Sequence, residues 1–373
     1  RIPPLTKLNT QFLSLSLFRV LSACVKPYDI VIDKYENIIV IDGVLLDNGT
    51  PPKVNIKYSG KVGGSDIKMV SGAVVYIVTS NGQKYNLIEK EKGFYTYIES
   101  MFPVKTGTSY QLVVEHDGHV YKSSMEKLIP SSPITDLSFQ IKSDNKGIDL
   151  LISSEDIDSA SKYYNWKLSE TWKFRIPIYS NTRSVNKDIC YATTIDELEL
   201  GTTELFSKNC FNRFPFLYIP ATNPKLYYRY SILVEQLSIS RNTYIYLNHI
   251  KKINESGGSL FDPIPSNMNG NITSENAPVI GNVQVSSIMS KRIYIDRTDL
   301  PIEMTISPGM EDCKLDMSKN SRVIDSLSQF MIIIDTIQDQ NGDIVRFTNW
   351  EHCFDCTATG SPNTPPSWWE EKK

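Results

Sequence analysis

Gly72-Ala73-Val74-Val75-Tyr76-Ile77-Val78-Thr79-Ser80-Asn81-Gly82-Gln83-Lys84-Tyr85-Asn86-Leu87-Ile88 is the stretch that decides the fold class. A β-branched and aromatic run reaches the turn dipeptide Asn81-Gly82 and returns through Tyr85 to Ile88, which is the pattern of a β-hairpin. On either side the pattern repeats. Asn37 to Val44 is β-branched, Gly93 to Tyr97 and Gly107 to Val114 read as strands, and Asp117-Gly118 turns the chain into His119 to Lys122. Short strands at close spacing with glycine-containing turns predict an all-β sandwich, of the immunoglobulin/fibronectin-like or prealbumin-like kind, over residues 24–129.

Ile129-Pro130-Ser131-Ser132-Pro133 reads as a linker, since its prolines remove ladder donors and stiffen the chain. A second β-sandwich domain is predicted over 130–373. It contains the aromatic strand Tyr163 to Phe174, in which alternation places Tyr164, Trp166, Leu168, Trp172 and Phe174 on one face with Glu170 among them. A carboxylate there is either a recognition or acid/base group or, as the preferred reading, a structural one. The structural form is a bulge near Ser169 that turns Glu170 outward, or a core carboxylate satisfied by backbone N–H groups or an Arg.

One helix is predicted over 241–256, with Ser240 as N-cap, Thr243, Tyr246, Leu247, Ile250 and Ile253 at helical spacing, and Gly257-Gly258 as its end. The following stretch, Ser259 to Ile272, combines an aromatic, spaced prolines and a turn-rich polar tract. Phe261, Asn267 and Asn271 within it join Trp166, Glu170 and Trp172 as candidates for contacting a partner or ligand. Strands resume at Pro278 to Ser287 and Arg292 to Ile295, and a last hairpin joins Phe330 to Ile337 with Asp343 to Phe347.

With 373 residues, 40% hydrophobic and 22% charged, the chain can bury a substantial core in two or three units at about 150 residues each. A net charge of -3 and a pI near 5.9 give no electrostatic support for binding nucleic acid. Near the start, the apolar stretch Phe12 to Leu21 leads into Leu21-Ser22-Ala23-Cys24, which reads as a bacterial lipobox. Residues 1–23 would then be a lipoprotein signal peptide, and Cys24 the lipid anchor. More than one acyl chain makes such attachment stable, at about 0.8 kcal/mol per buried methylene. The competing reading of Leu13, Leu15 and Leu17 is an alternating surface strand with Cys24 as a buried thiol.

Export favours disulfides among Cys190, Cys210, Cys313, Cys353 and Cys356, with one cysteine left over. The preferred pairing is Cys190 with Cys210, and Cys313 with either Cys353 or Cys356. Zinc on Cys313, His352, Cys353 and Cys356 is a legitimate but less favoured set, so no metal is expected. Asp339-Gln340-Asn341-Gly342-Asp343 superficially suggests a calcium loop, yet it sits where the hairpin needs its turn. His116 and His119 flank the Asp117-Gly118 turn and are expected to be exposed. The sequence has no His-Glu-x-x-His, no Gly-x-Ser-x-Gly and no glycine-rich phosphate loop, so neither an enzyme nor a cofactor is expected.

Several motifs in order resemble one family: Cys24-Val25-Lys26-Pro27-Tyr28-Asp29, Ile41-Asp42-Gly43, Ser71-Gly72-Ala73-Val74, Tyr164-x-Trp166 with Glu170-Thr171-Trp172, Gly258 to Pro263 through Gly270-Asn271-Ile272, Lys291 to Ile295, and Cys353-x-x-Cys356-Thr357 with a tryptophan near the end. From Cys24 to Trp369 the chain is similar to the Bacteroidota lipoproteins of the domain of unknown function 4249 family. The resemblance implies an outer-membrane lipoprotein encoded beside TonB-dependent receptors, hence an accessory subunit in ligand capture or nutrient uptake; it brings no catalytic residue. Lys26 stands where an acidic residue is common, which leaves open the periplasmic or cell-surface face. The alternatives are a structural or adhesive envelope lipoprotein and, less favoured, an envelope hydrolase.

Overall fold

A computed structural model describes residues 38–59, 67–177, 187–255, 270–310, 313, 316–318, 332–339, 342–348, 351–353 and 355–371. The first group of strands is β1 (Ile39–Leu46), β2 (Lys53–Tyr58), β3 (Val74–Thr79), β4 (Lys84–Glu91), β5 (Phe94–Tyr97), β6 (Ser109–His116), β7 (His119–Ser123) and β8 (Glu126–Lys127). There follow β9 (Ile134–Ile141), β10 (Gly147–Ser154), β11 (Tyr163–Arg175), β12 (Ile189–Thr202), β13 (Phe214–Pro220), β14 (Arg229–Ile239) and the helix α1 (Arg241–Glu255). The chain then forms β15 (Ile272–Thr273), β16 (Val279–Ser286), β17 (Ile288–Asp296), β18 (Asp316–Ser318), β19 (Ile332–Asp339) and β20 (Gly342–Thr348). The protein is all-β with a single α-helix among the described residues.

The opening hairpin is β3 and β4, joined through Asn81-Gly82 with Gly82 at φ 83°. The β6–β7 turn holds Asp117 at φ 49° and Gly118 at φ 77°, the two positive values that a type I′ turn demands. The first sheet runs β15-β7-β6-β3-β4-β5-β2-β1-β16, with β8 on β6. Strand β1 buries alternate residues, Ile39, Ile41, Gly43 and Leu45, and these join Ile56, Ile77, Leu112 and Val283 in one core. A methyl on Gly43 would lie 3.1 Å from Val283 and 3.6 Å from Leu112 of β6, which is not a neighbour of β1 in the sheet. The sheet is therefore folded over its own core.

Two further sheets, β13-β10-β9 and β12-β11-β14-β17, face each other across a second core. Ile148, Leu150 and Ile152 come from one sheet, and Tyr164, Trp166, Leu168, Tyr230, Ile232 and Val234 from the other. A fourth sheet, β18-β20-β19, carries the last hairpin, whose strands pair as far as Asp339 with Gly342; Gln340 and Asn341 lie outside the described residues.

The division expected after residue 129 is not followed by the sheets. Strand β16, far downstream, pairs in parallel with β1 from Ile39↔Val279 to Leu46↔Ser286, so the first sheet is completed by the second half of the chain. The backbones approach so closely that a Cβ on Gly281, whose φ is 147°, would stand 1.9 Å from the Ile41 carbonyl oxygen. Only glycine fits there. The expected linker is likewise stitched in: Ser131 and Ser132 are buried, the Ser132 carbonyl accepts from Gln236 at 2.7 Å, and the Ile129 carbonyl accepts from Ser238 at 2.5 Å. Its carbonyls are satisfied in part by these side chains of β14 and in part by backbone, the Ser161 N–H donating to Pro130 at 2.9 Å and the Glu155 N–H to Pro133 at 3.0 Å. Ser240 caps α1 by accepting from the Thr243 N–H at 3.2 Å, and α1 packs against β11, β12 and β16.

Candidate functional site

Strand β11 builds the site. Its register against β14 is unbroken from Tyr163↔Ile239 to Lys173↔Arg229, so the face carrying Trp166, Leu168, Glu170 and Trp172 continues inward. The irregularity on the β12 side lies between Trp166 and Leu168, upstream of Ser169, and does not turn Glu170 out. The Glu170 side chain is 13% exposed, and both oxygens are used: Lys225 Nζ donates to one at 3.0 Å and the Tyr230 hydroxyl to the other at 2.7 Å. This is the satisfied core carboxylate of the preferred reading, with Lys and Tyr in place of the expected backbone N–H groups or Arg. Burial, and then the charge of Glu170, hold the Tyr230 hydroxyl well above the usual phenol range, which keeps it a donor.

Lys225 sits on the short turn Pro224–Leu226, capped by Asn223 accepting from the Lys225 N–H at 3.1 Å. Its ammonium lies 5.1 Å from the centre of the Trp172 ring, a cation–π contact. Glu170 thus fixes Lys225, and Lys225 fixes the ring.

Beyond Trp172 the end of β11 opens on a cleft of about 570 Å³. Trp172 and Phe174, Tyr191 to Thr194 of β12, Pro224, Pro308 to Met310, and Thr359 to Pro362 line it. One wall is the C-terminal tail. The Cys190–Cys356 disulfide holds that wall to β12, the Tyr191 N–H donates to the Pro362 carbonyl at 2.9 Å, and the Cys356 N–H donates to the Lys187 carbonyl at 3.1 Å. Further out, Trp369 meets Tyr191 edge-on at 5.2 Å, and the Arg292 guanidinium lies 3.6 Å from the Trp368 ring centre. Glu371 accepts from Lys173 at 3.1 Å and from the Tyr191 hydroxyl at 3.2 Å. Burial opposes the Asp355 charge, but hydrogen bonds from Thr357 and Lys187 outweigh it and hold the carboxyl below its usual range. The lining offers aromatic and proline surface with threonine hydroxyls, which suits holding an apolar or aromatic group by contact.

The predicted candidates separate. Trp172 lines this cleft, and Glu170 lies behind it, joined to the Trp172 ring through Lys225. Trp166 does not: it is fully buried, donates from Nε1 to Gln236 at 3.0 Å, and packs against Phe211, Phe214 and Phe216. A Cβ on Gly201 would stand 2.2 Å from its ring, so the indole is enclosed by backbone as well. Asn271 is also structural, its amide donating to Glu126 at 2.9 Å and to the Val283 carbonyl at 2.7 Å while accepting from the Val283 N–H at 2.8 Å. Phe261, Asn267 and Cys24 lie outside the described residues.

The preferred Cys190–Cys210 bridge is corrected: Cys190 pairs with Cys356, and Cys210 is the free thiol. Strand β12 and the chain after it carry Cys210 away from Cys190, into the wall of another pocket at Phe206 to Pro215. Cys313 pairs with Cys353, one of its two expected partners. Cys313, His352 and Cys353 do place their ligand atoms within 4.8 Å of one another, but the disulfide occupies both sulfurs. Nor are the turn histidines fully exposed. His116 lies 3.4 Å from the Tyr58 hydroxyl and 3.2 Å from Asp117, with its side chain 15% exposed.

Tyr191, Pro224, Lys225 and Met310 were not legible as site residues, because they come from separate segments that carry no motif. The cysteines alone signalled that distant segments meet.

The fold and this cleft define an all-β protein whose tail is held by disulfides over an aromatic hollow. The chain belongs to the family described as domain of unknown function (DUF4249), whose model matches residues 25–292. The walls from β11, β12 and Pro224 lie inside the match, whereas Met310 and the tail lie beyond it. No curated protein matches the chain.

Proposed function

We propose that this protein is a lipid-anchored outer-membrane protein, an accessory subunit that captures ligand for a TonB-dependent receptor. The observation that carries the reading is at the start of the family match, which opens at residue 25, directly after the lipobox cysteine Cys24. The family domain would then begin where the anchor ends. The aromatic cleft supports a capturing role, since about 570 Å³ lies within the range of small-molecule sites and its walls are braced by a disulfide and by the Glu170–Lys225 pair. In this reading the protein binds and presents, and the transporter does the work of uptake.

The test has two arms. Radiolabelled palmitate fed to cells should enter the wild-type chain and not Cys24→Ser, and label retained in that variant would sink the anchor. Membranes solubilised in mild detergent and drawn through a C-terminal tag should yield a large β-barrel protein in stoichiometric amount. Its absence refutes the accessory role.

A further inference from the structure

We propose that a second cleft, between the first sheet and the β11–β14 sheet, binds a short peptide in its zwitterionic form. It holds about 340 Å³. On one wall, the outer face of β1 and β2 carries Asp42 opposite Asn55 and Val44 opposite Lys53. On the other, β11 contributes Asn165, and β14 contributes Glu235 and Leu237.

Two unmatched charges of opposite sign face this space. Among the described residues neither Lys53 nor Glu235 is in an ion pair, whereas Lys167 on the same lining is taken by Glu197 at 2.6 Å, and Asp42 has Lys57 at 3.9 Å. A carboxylate terminus answers Lys53, and an ammonium answers Glu235. Between them the cleft offers side-chain amides, the groups that pair with peptide N–H and C=O. Asn165 is the telling one. It is 8% exposed, its Nδ2 donates to the Glu197 carbonyl at 3.1 Å, and its Oδ1 has no hydrogen-bond partner. A buried acceptor without a donor is costly, and a peptide N–H supplies the donor. Val44 and Leu237 provide apolar floor for a side chain.

The site is preformed. Helix α1 braces both walls, with Thr243 hydrogen-bonded to Asn282 of β16 at 3.4 Å and Lys251 paired with Glu199 of β12 at 2.7 Å. Burial holds Asp42, on the same wall, above the usual carboxylate range. A divalent cation is disfavoured by layout: among the described residues, no three acidic, histidine or cysteine ligand atoms of this cleft come within 4.8 Å of one another.

Calorimetric titration of the full chain with trialanine tests the assignment, beside N-acetyl-trialanine amide, which has neither terminal charge. Trialanine should bind and the capped peptide at least tenfold more weakly; Glu235→Gln and Lys53→Met should each weaken trialanine at least tenfold, and Trp172→Ala in the other cleft should not. Circular dichroism of each variant checks folding, and the capped peptide reads the charges without any substitution. No heat with trialanine, equal binding of the two peptides, or calcium binding abolished by Glu235→Gln would each overturn the inference. It stands apart from the receptor role, since a chain that takes trialanine but copurifies no barrel keeps one and loses the other.

Discussion

Replacing Cys190 and Cys356 by alanine should cost this protein more stability than removing its other disulfide, Cys313–Cys353. The two cysteines are 166 residues apart in sequence. With Cys313–Cys353 intact, the loop that the outer bridge closes runs from 190 to 313, crosses the inner bridge and ends at 353 to 356. The chain-entropy relation puts the cost of losing that loop of roughly 130 residues at about 5 kcal/mol, against about 4 kcal/mol for the inner bridge. Both sulfurs of the outer bridge are buried beside Phe174 and Ile176, so a void adds to the entropic loss. Urea unfolding followed by tryptophan fluorescence reads the difference, because Trp172, Trp368 and Trp369 all lie at or near the stapled wall. A loss below about 2 kcal/mol, or a larger loss from Cys313→Ala/Cys353→Ala, would refute the loop argument. It would mean that the tail is held by its contacts alone.

Gly281→Ala should lower stability by more than about 4 kcal/mol or prevent folding, because its Cβ would meet the Ile41 carbonyl at 1.9 Å and its φ of 147° excludes other residues; an unchanged melting temperature would contradict the parallel β1–β16 pairing. Asp42→Asn should raise the melting temperature at pH 7 and have little effect below about pH 4, since a carboxyl held above its ordinary value by burial favours the protonated fold, and that contribution is lost as pH rises through its folded-state value. No gain at neutral pH would deny that burial dominates there. Asp355 and Glu371 shift the other way: burial opposes their charges, but hydrogen bonds from Thr357 and Lys187, and from Lys173, Tyr191 and Trp369, hold both below the usual range. Their contribution is present above about pH 4 and lost as pH falls through their folded values, so near-ultraviolet dichroism should report loosening of the tail on acidification while the disulfides stay closed. A signal unchanged to pH 2 would count against it.

Much of the local structure was legible in the chain. The Asn81-Gly82 and Asp117-Gly118 turns, the Ser240 cap and the inward face of β11 follow from rules that act over a few residues, and they appear where those rules put them. Glu170 was legible as an anomaly, since strict alternation forced a carboxylate among aromatics. Its partners were not, because Lys225 and Tyr230 lie 55 and 60 residues away. Trp166 was misplaced among the contact candidates for a related reason. Alternation says which residues share a face, but not whether that face meets a ligand or another sheet, and here β10 and β13 cover it.

By itself, then, the sequence determined the strand-and-turn grammar, the helix and the membership of a family. Only the tertiary structure decided that β16 returns to complete the first sheet, that Cys356 rather than Cys210 meets Cys190, and that Lys53 and Glu235 line one cleft. The division has a physical cause: backbone preference and side-chain period are properties of neighbours, whereas strand partnership, disulfide pairing and cleft formation depend on which buried surfaces find each other across long loops.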